Sequence, residues 1–149
     1  MKIQLSVSEE KIASVKKQLT EHGIEIAEDA EYLLTEAARC SPFLSARDMK
    51  KEHVRLSPSE IIFIEAFGKD IEIHTMQETY YAQERMYELE ATLNPRDFLR
   101  ISKSVIISRK HVQKIRPSLS MKYVLTLSDG TLVDVTRSYY HDFKKFFQI

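Results

Sequence analysis

Apolar and polar residues alternate with period two over residues 2–7, putting Ile3, Leu5 and Val7 on one side, and that spacing predicts a half-buried strand. The period then lengthens. Ile12, Val15 and Leu19 line one face of a predicted helix. Ser8 is placed to cap it, Glu9 and Glu10 suit its positive N-terminal end, and Gly23 stops it. Residues 24–26 form a short apolar run suited to a second strand, and residues 29–39 carry Leu33, Leu34 and Ala37 at helical spacing, predicting a second helix. Residues 40–57 show no clean periodicity. Ser41-Pro42 and the charged Arg47-Asp48-Met49-Lys50-Lys51-Glu52 predict a linker there, which separates a short α/β N-terminal segment, 1–50, from a second domain, 51–149.

From Pro58 onwards the pattern is that of strands. Ile61, Ile62, Phe63 and Ile64 form a continuous apolar run, Phe67-Gly68-Lys69-Asp70 is a turn, residues 71–76 alternate, and residues 79–82 return as a hairpin. Met86, Leu89 and Leu93 mark one side of a short helix ended by Asn94-Pro95, because the residue before proline avoids helical geometry. Further strands are expected in residues 98–108, interrupted by Ser102-Lys103-Ser104, and in 112–115, 123–127 and 131–135. The last two flank Asp129-Gly130, a strong hairpin dipeptide. A final amphipathic helix over 139–147 turns Phe143, Phe146 and Phe147 inward. The expected fold class is therefore mostly β with short helices, a β-meander preceded by the short α/β segment.

The 149 residues suffice for one ordinary domain with an appendage, and 43% hydrophobic residues supply a core. No apolar run approaches the roughly 20 residues that span a bilayer. Met1-Lys2-Ile3-Gln4 opens no signal-peptide stretch, so a cytoplasmic protein without membrane insertion is expected. The net charge of zero conceals a polarity. Residues 1–57 hold 9 Lys/Arg and 10 Asp/Glu, residues 58–97 hold 3 and 9, and residues 98–149 hold 10 and 3, giving −1, −6 and +7. Such separation suits one face to a polyanion, or matches two halves of the chain to each other.

Enzymatic chemistry is not evident. His22, His53, His74, His111 and His141 are isolated in sequence, with no HExxH and no zinc-like His/Cys spacing. Glu84, Glu88 and Glu90 read as a solvated helix face, and no glycine-rich loop cradles phosphates. Cys40 has no second thiol for a disulfide or redox pair, and only Arg39 beside it to activate it. No cofactor, metal or small-molecule substrate is expected. The cations of the last third are better organised: Arg100, Lys103, Arg109, Lys110, Lys114, Arg116, Lys122 and Arg137 fall at strand edges and loop junctions, with Ser102, Ser104, Ser108 and Ser138 among them. Long cations on turns reach phosphates and hydroxyls add hydrogen bonds, though the same pattern also suits a solvated β surface.

Four stretches in order resemble the LytTR DNA-binding domain family. Pro58-Ser59-Glu60-Ile61-Ile62-Phe63-Ile64-Glu65-Ala66 with its following turn resembles the opening of that domain. Phe98-Leu99-Arg100-Ile101-Ser102-Lys103-Ser104-Val105-Ile106-Ile107-Ser108 is similar to its most diagnostic stretch, F-x-R-x-[HS]-[RKN]-S-x-[IV]-[IV]-N, with Ser108 where Asn is usual. Residues 112–115 with the Asp129-Gly130 hairpin, then Val135-Thr136-Arg137-Ser138 before a last helix, complete the order, so the resemblance covers residues 54–149.

The resemblance implies a bacterial transcriptional regulator that docks loops of a β domain into grooves of double-stranded promoter DNA. A homodimer on DNA is expected separately, because a small domain gains affinity when two copies bind linked half-sites. Arg137 matches a base-reading arginine, whose fork suits guanine O6 and N7. Lys103 matches a contact residue in a strand-to-loop segment, and Lys69 a basic turn residue near phosphate. Arg100, Ser108, Arg109, Lys110 and Ser138 complete the expected contact set. Ile71 stands where some members place a base-reading histidine, and it has no hydrogen bond to offer. Residues 1–50 are too few for a phosphoacceptor receiver domain, so regulation without phosphorelay is expected, with the N-terminal segment making a dimer or partner contact. The competing reading is a non-enzymatic adaptor that turns its basic face to an acidic protein or anionic surface.

Overall fold

The computed structural model describes residues 1–36 and 42–149. The chain divides into two compact units, Met1–Arg39 and Cys40–Ile149.

In the first unit, β1 (Lys2–Ser6) lies between β2 (Glu25–Ile26) and β3 (Tyr32–Thr35), parallel to both. Helix α1 (Glu9–Glu21) connects β1 to β2. Its apolar stripe, Ile12, Val15 and Leu19, is half-buried. Ser8 stands at the N-cap, but its hydroxyl donates to Glu36 Oε1 at 3.1 Å and makes no capping bond. Gly23 adopts φ 73, the left-handed geometry that ends a helix at little cost when no Cβ is present. The helix expected over 29–39 is corrected by β3. Tyr32, Leu33, Leu34 and Thr35 run beside Ile3, Gln4, Leu5 and Ser6, where the open edge of β1 satisfies their backbone groups. A lone helix of that length is marginal in water, and strand pairing supplies the backbone partners instead. Ala37, part of the expected helix, lies outside the described residues, as does Cys40.

The second unit begins with a hairpin, β4 (Leu44–Arg47) and β5 (His53–Leu56). This overturns the linker expected at 40–57. Leu44, Ala46 and Leu56 are each only 4% exposed, and the charged run between the strands is their turn, in which Asp48 Oδ1 accepts from the Lys50 and Glu52 amides. Then follow β6 (Ile61–Phe67), β7 (Asp70–Thr75), β8 (Thr79–Ala82), α2 (Met86–Thr92), β9 (Phe98–Arg100) and β10 (Val105–Ser108). The seven strands form an antiparallel sheet in the order β5-β4-β8-β7-β6-β10-β9. A second antiparallel sheet holds β11 (Val112–Ser118), β12 (Lys122–Leu127) and β13 (Leu132–Val135), before the final helix α3 (Tyr140–Phe147).

Two apolar layers sandwich the strand β6. Ile61 and Ile64 pack with Leu44, Ile73, Leu89 of α2 and Ile106 on one side. Ile62 and Phe63 pack with Ile101, Ile107, Leu125, Val135 and Phe143 of α3 on the other. This explains the unbroken Ile-Ile-Phe-Ile run, since a strand covered on both faces has no polar side to present. Among the described residues, no helix is long and apolar enough to cross a membrane.

Candidate nucleic-acid interface

Three loops meet at one edge of the second unit because backbone hydrogen bonds tie each to the next. The Ala66 amide, at the end of β6, donates to the Ser104 carbonyl at 2.8 Å. The Ile101 carbonyl, at the other end of that loop, accepts from the Thr136 amide at 3.0 Å and the Thr136 hydroxyl at 3.4 Å. The β6–β7 turn, the loop 101–104 and the turn after β13 are thereby held side by side. Each carries an exposed cation or hydroxyl: Lys69 on the first, Lys103 on the second, Arg137 and Ser138 on the third.

Arg100 shapes the middle loop from within. Its Nε donates to the Ser102 carbonyl at 3.2 Å, Nη2 to the Lys103 carbonyl at 2.6 Å, and Nη1 pairs with Glu90 Oε2 at 3.2 Å. The guanidinium fork thus holds two successive carbonyls inward, and the Lys103 side chain is left exposed at the tip. Ser102 is buried and its hydroxyl accepts from the Ser104 amide at 3.3 Å, closing the turn.

Arg137 sits on a one-turn 3-10 helix, Arg137–Tyr139, pinned on both sides. Thr136 anchors its start. Its end runs into α3, where Tyr140 stacks on Tyr123 at 5.1 Å between ring centres and Phe143 is fully buried. Hydrogen bonding to Tyr140, then burial, push the Tyr123 phenol up.

The family model for the LytTr DNA-binding domain matches residues 51–148. The chain belongs to the LytTR DNA-binding domain family. It is similar to the transcriptional regulatory protein LytR of Staphylococcus aureus strain N315, with 34% identity over 89 residues, 60% of this chain and 36% of that protein. It is also similar to the sensory transduction protein LytT of Bacillus cereus, at 27% identity over 70% of this chain and 42% of the relative. The chain therefore spans less than half the length of the curated relatives it matches. Among solved structures, a LytTr DNA-binding domain from a Bacillus cereus response regulator shares the fold, with a TM-score of 0.69, 21% identity, and coverage of 73% of this chain and 99% of that one.

Within this LytTR domain the expected contact residues divide. Lys69, Lys103, Arg137 and Ser138 share the three-loop edge. Arg109 and Lys110 lie past the far end of β10, about 13 Å of strand away at roughly 3.3 Å per residue. Arg109 is also occupied there: Nη2 donates to the Phe146 carbonyl at 2.8 Å, and its guanidinium lies 4.8 Å from the Phe146 ring centre, tying the strand end to the last turn of α3. Ser108 is 2% exposed within β10, paired with Phe98, so it presents no surface to a ligand. The role of Thr136 was not legible from its residue type alone. Its only sequence clue is its position directly before Arg137. The isolation of His74 in sequence is likewise not its situation in space, because Glu72 of its own strand β7 and Glu65 of the adjacent β6 stand beside it.

Proposed function

We propose that the chain is a sequence-specific regulator of transcription that binds double-stranded promoter DNA through the edge carrying Lys69, Lys103, Arg137 and Ser138. The observation that supports this is the pair of ties at Ile101 and Ser104, which makes one rigid comb of three cation-bearing loops on a sheet scaffold. Arg137 reads a major-groove base with its bidentate fork, while Lys103 and Lys69 meet phosphates and set the register. Arg100 and Arg109 act as positioning residues, the first for the Lys103 loop and the second for the end of α3. Lys110 meets phosphate outside the central contact, and Ser108 supports β10 from inside. The protein acts in the cytoplasm without catalysis. It binds DNA as a homodimer, since two linked half-sites raise the effective concentration of the second contact.

The test is a mobility shift of the Arg137→Ala variant on the protein's own promoter region and on scrambled duplex. Loss of about 1 to 3 kcal/mol on the specific site, with relaxed preference at one base pair and unchanged melting, is expected. Parent-like binding to both duplexes at unchanged melting would return Arg137 to the solvated surface, and the adaptor reading would replace this one.

A further inference from the structure

On the face of the large sheet that carries Phe63, three potential metal ligands converge from two strands. Glu65 of β6 lies directly opposite Glu72 of β7, and His74 follows Glu72 by two residues, on the same face. One ligand atom from each of the three lies within 4.8 Å of the others, with His74 Nε2 at 3.2 Å from Glu72 Oε2 and 3.8 Å from Glu65 Oε2. We propose that Glu65, Glu72 and His74 form a site for a divalent transition metal ion, Zn²⁺ being the ion whose ligand chemistry fits best.

Three observations carry the proposal. First, two carboxylates directly opposite one another on adjacent strands repel, and among the described residues neither forms an ion pair with a lysine or arginine. Second, His74 Nε2 is buried and makes no hydrogen bond, although Glu72 Oε2 is only 3.2 Å away. The two atoms are close without meeting hydrogen-bond geometry, an arrangement that suits both facing one shared ion. Third, the imidazole is already oriented: its ring stacks on Phe63 at 4.1 Å, and Nδ1 lies 3.3 Å from the Thr79 hydroxyl. With Nδ1 donating to that oxygen, Nε2 turns its lone pair to the carboxylates, as second partners of metal-bound histidines do.

The spacing agrees with the ion. Tetrahedral Zn²⁺ with bonds near 2.1 Å places neighbouring ligands about 3.4 Å apart, between the two His74 separations, and a small rotation of the half-exposed Glu65 would bring its 3.8 Å separation from His74 to that value. One nitrogen and two carboxylate oxygens leave the fourth position to water. A bound ion would remove the carboxylate repulsion and cross-link β6 to β7 just before the turn that carries Lys69.

The experiment is a calorimetric titration of chelator-stripped full chain with zinc sulfate, beside Glu65→Gln, Glu72→Gln and the double variant. Glutamine keeps the shape and removes the charge, so these variants should melt at or above the parent temperature without metal. The parent should bind zinc at micromolar concentration, each single variant should bind about tenfold or more weakly, and the double variant should not bind at this site. Amide exchange in β6 and β7 should slow on adding zinc in the parent and stay unchanged in the double variant. Absence of zinc binding by the parent overturns the proposal. So does equal binding by parent and double variant, which would place the ion elsewhere on the chain.

Discussion

The two units are built from similar elements yet bury very different amounts of themselves. In the first unit, Ile3, 6% exposed, is the one buried apolar residue among those described, α1 buries none of its residues, and Tyr32, Leu33 and Leu34 of β3 remain exposed. In the second, β6 alone hides Ile61, Ile62, Phe63 and Ile64 at 2% exposure or less, between two separate apolar layers. Sequence periodicity is present in both. What differs is whether a second layer exists to cover the apolar face, and stability follows the covering rather than the pattern.

Truncation breaks the comparison most directly. A chain beginning at residue 40 keeps β4 and β5 and should unfold cooperatively in urea near the stability of the parent. Starting at residue 52 removes Leu44 and Ala46 from the core and strands β5 without its partner. On the order of 5 kcal/mol should be lost, from those side chains and the Leu56 contacts that lean on them. Equal stability of the two truncations would show β4 to be dispensable. A point-mutant version follows. Leu125→Ala, in the second apolar layer, should cost about 2 to 5 kcal/mol, whereas Leu19→Ala on half-buried α1 should cost less than about 1 kcal/mol by urea denaturation. Reversal of that order would show that the first unit carries the stability.

How much of this was legible depended on where the covering layer came from. β1, α1, the β6–β7–β8 meander, α2 and the Asp129-Gly130 hairpin were readable because each shows its own period or turn dipeptide. β3 was missed because its state is decided by the open edge of β1, a partner nearly thirty residues away in sequence. β4 and β5 were missed because two four-residue strands flank a run of charges, and the alternation of Leu44 with Ala46 is too short to stand out. The same holds at the candidate interface. Lys69, Lys103 and Arg137 stand out as candidates by type and motif, but the bonds that assemble their loops use backbone atoms of Ala66, Ile101 and Ser104, which no residue type announces. Arg100 and Arg109 belong to the same expected set, because charge is visible in a sequence and occupancy by carbonyls is not.

The smallest expected effect separates the exposed cation from the occupied one. Lys103→Ala should weaken specific and scrambled duplex alike and make the slope of log affinity against log salt shallower by about one unit, while leaving melting unchanged. Arg100→Ala should lower the melting temperature as well, because two carbonyls and Glu90 lose their donor. If the two variants shift melting and salt slope equally, the division between positioning and contacting cations fails.

One oxygen atom serves as the common datum for two of the loops. The Ile101 carbonyl takes both Thr136 bonds, so Lys103 stands two residues from it along one path and Arg137 one residue beyond Thr136 along the other. Side chains at the tips can be exchanged without moving that origin, because neither bond uses a tip residue. Such a caliper lets the tip residues vary while the interval between the loops is kept, and it marks Thr136 as the place where a change would alter the interval itself.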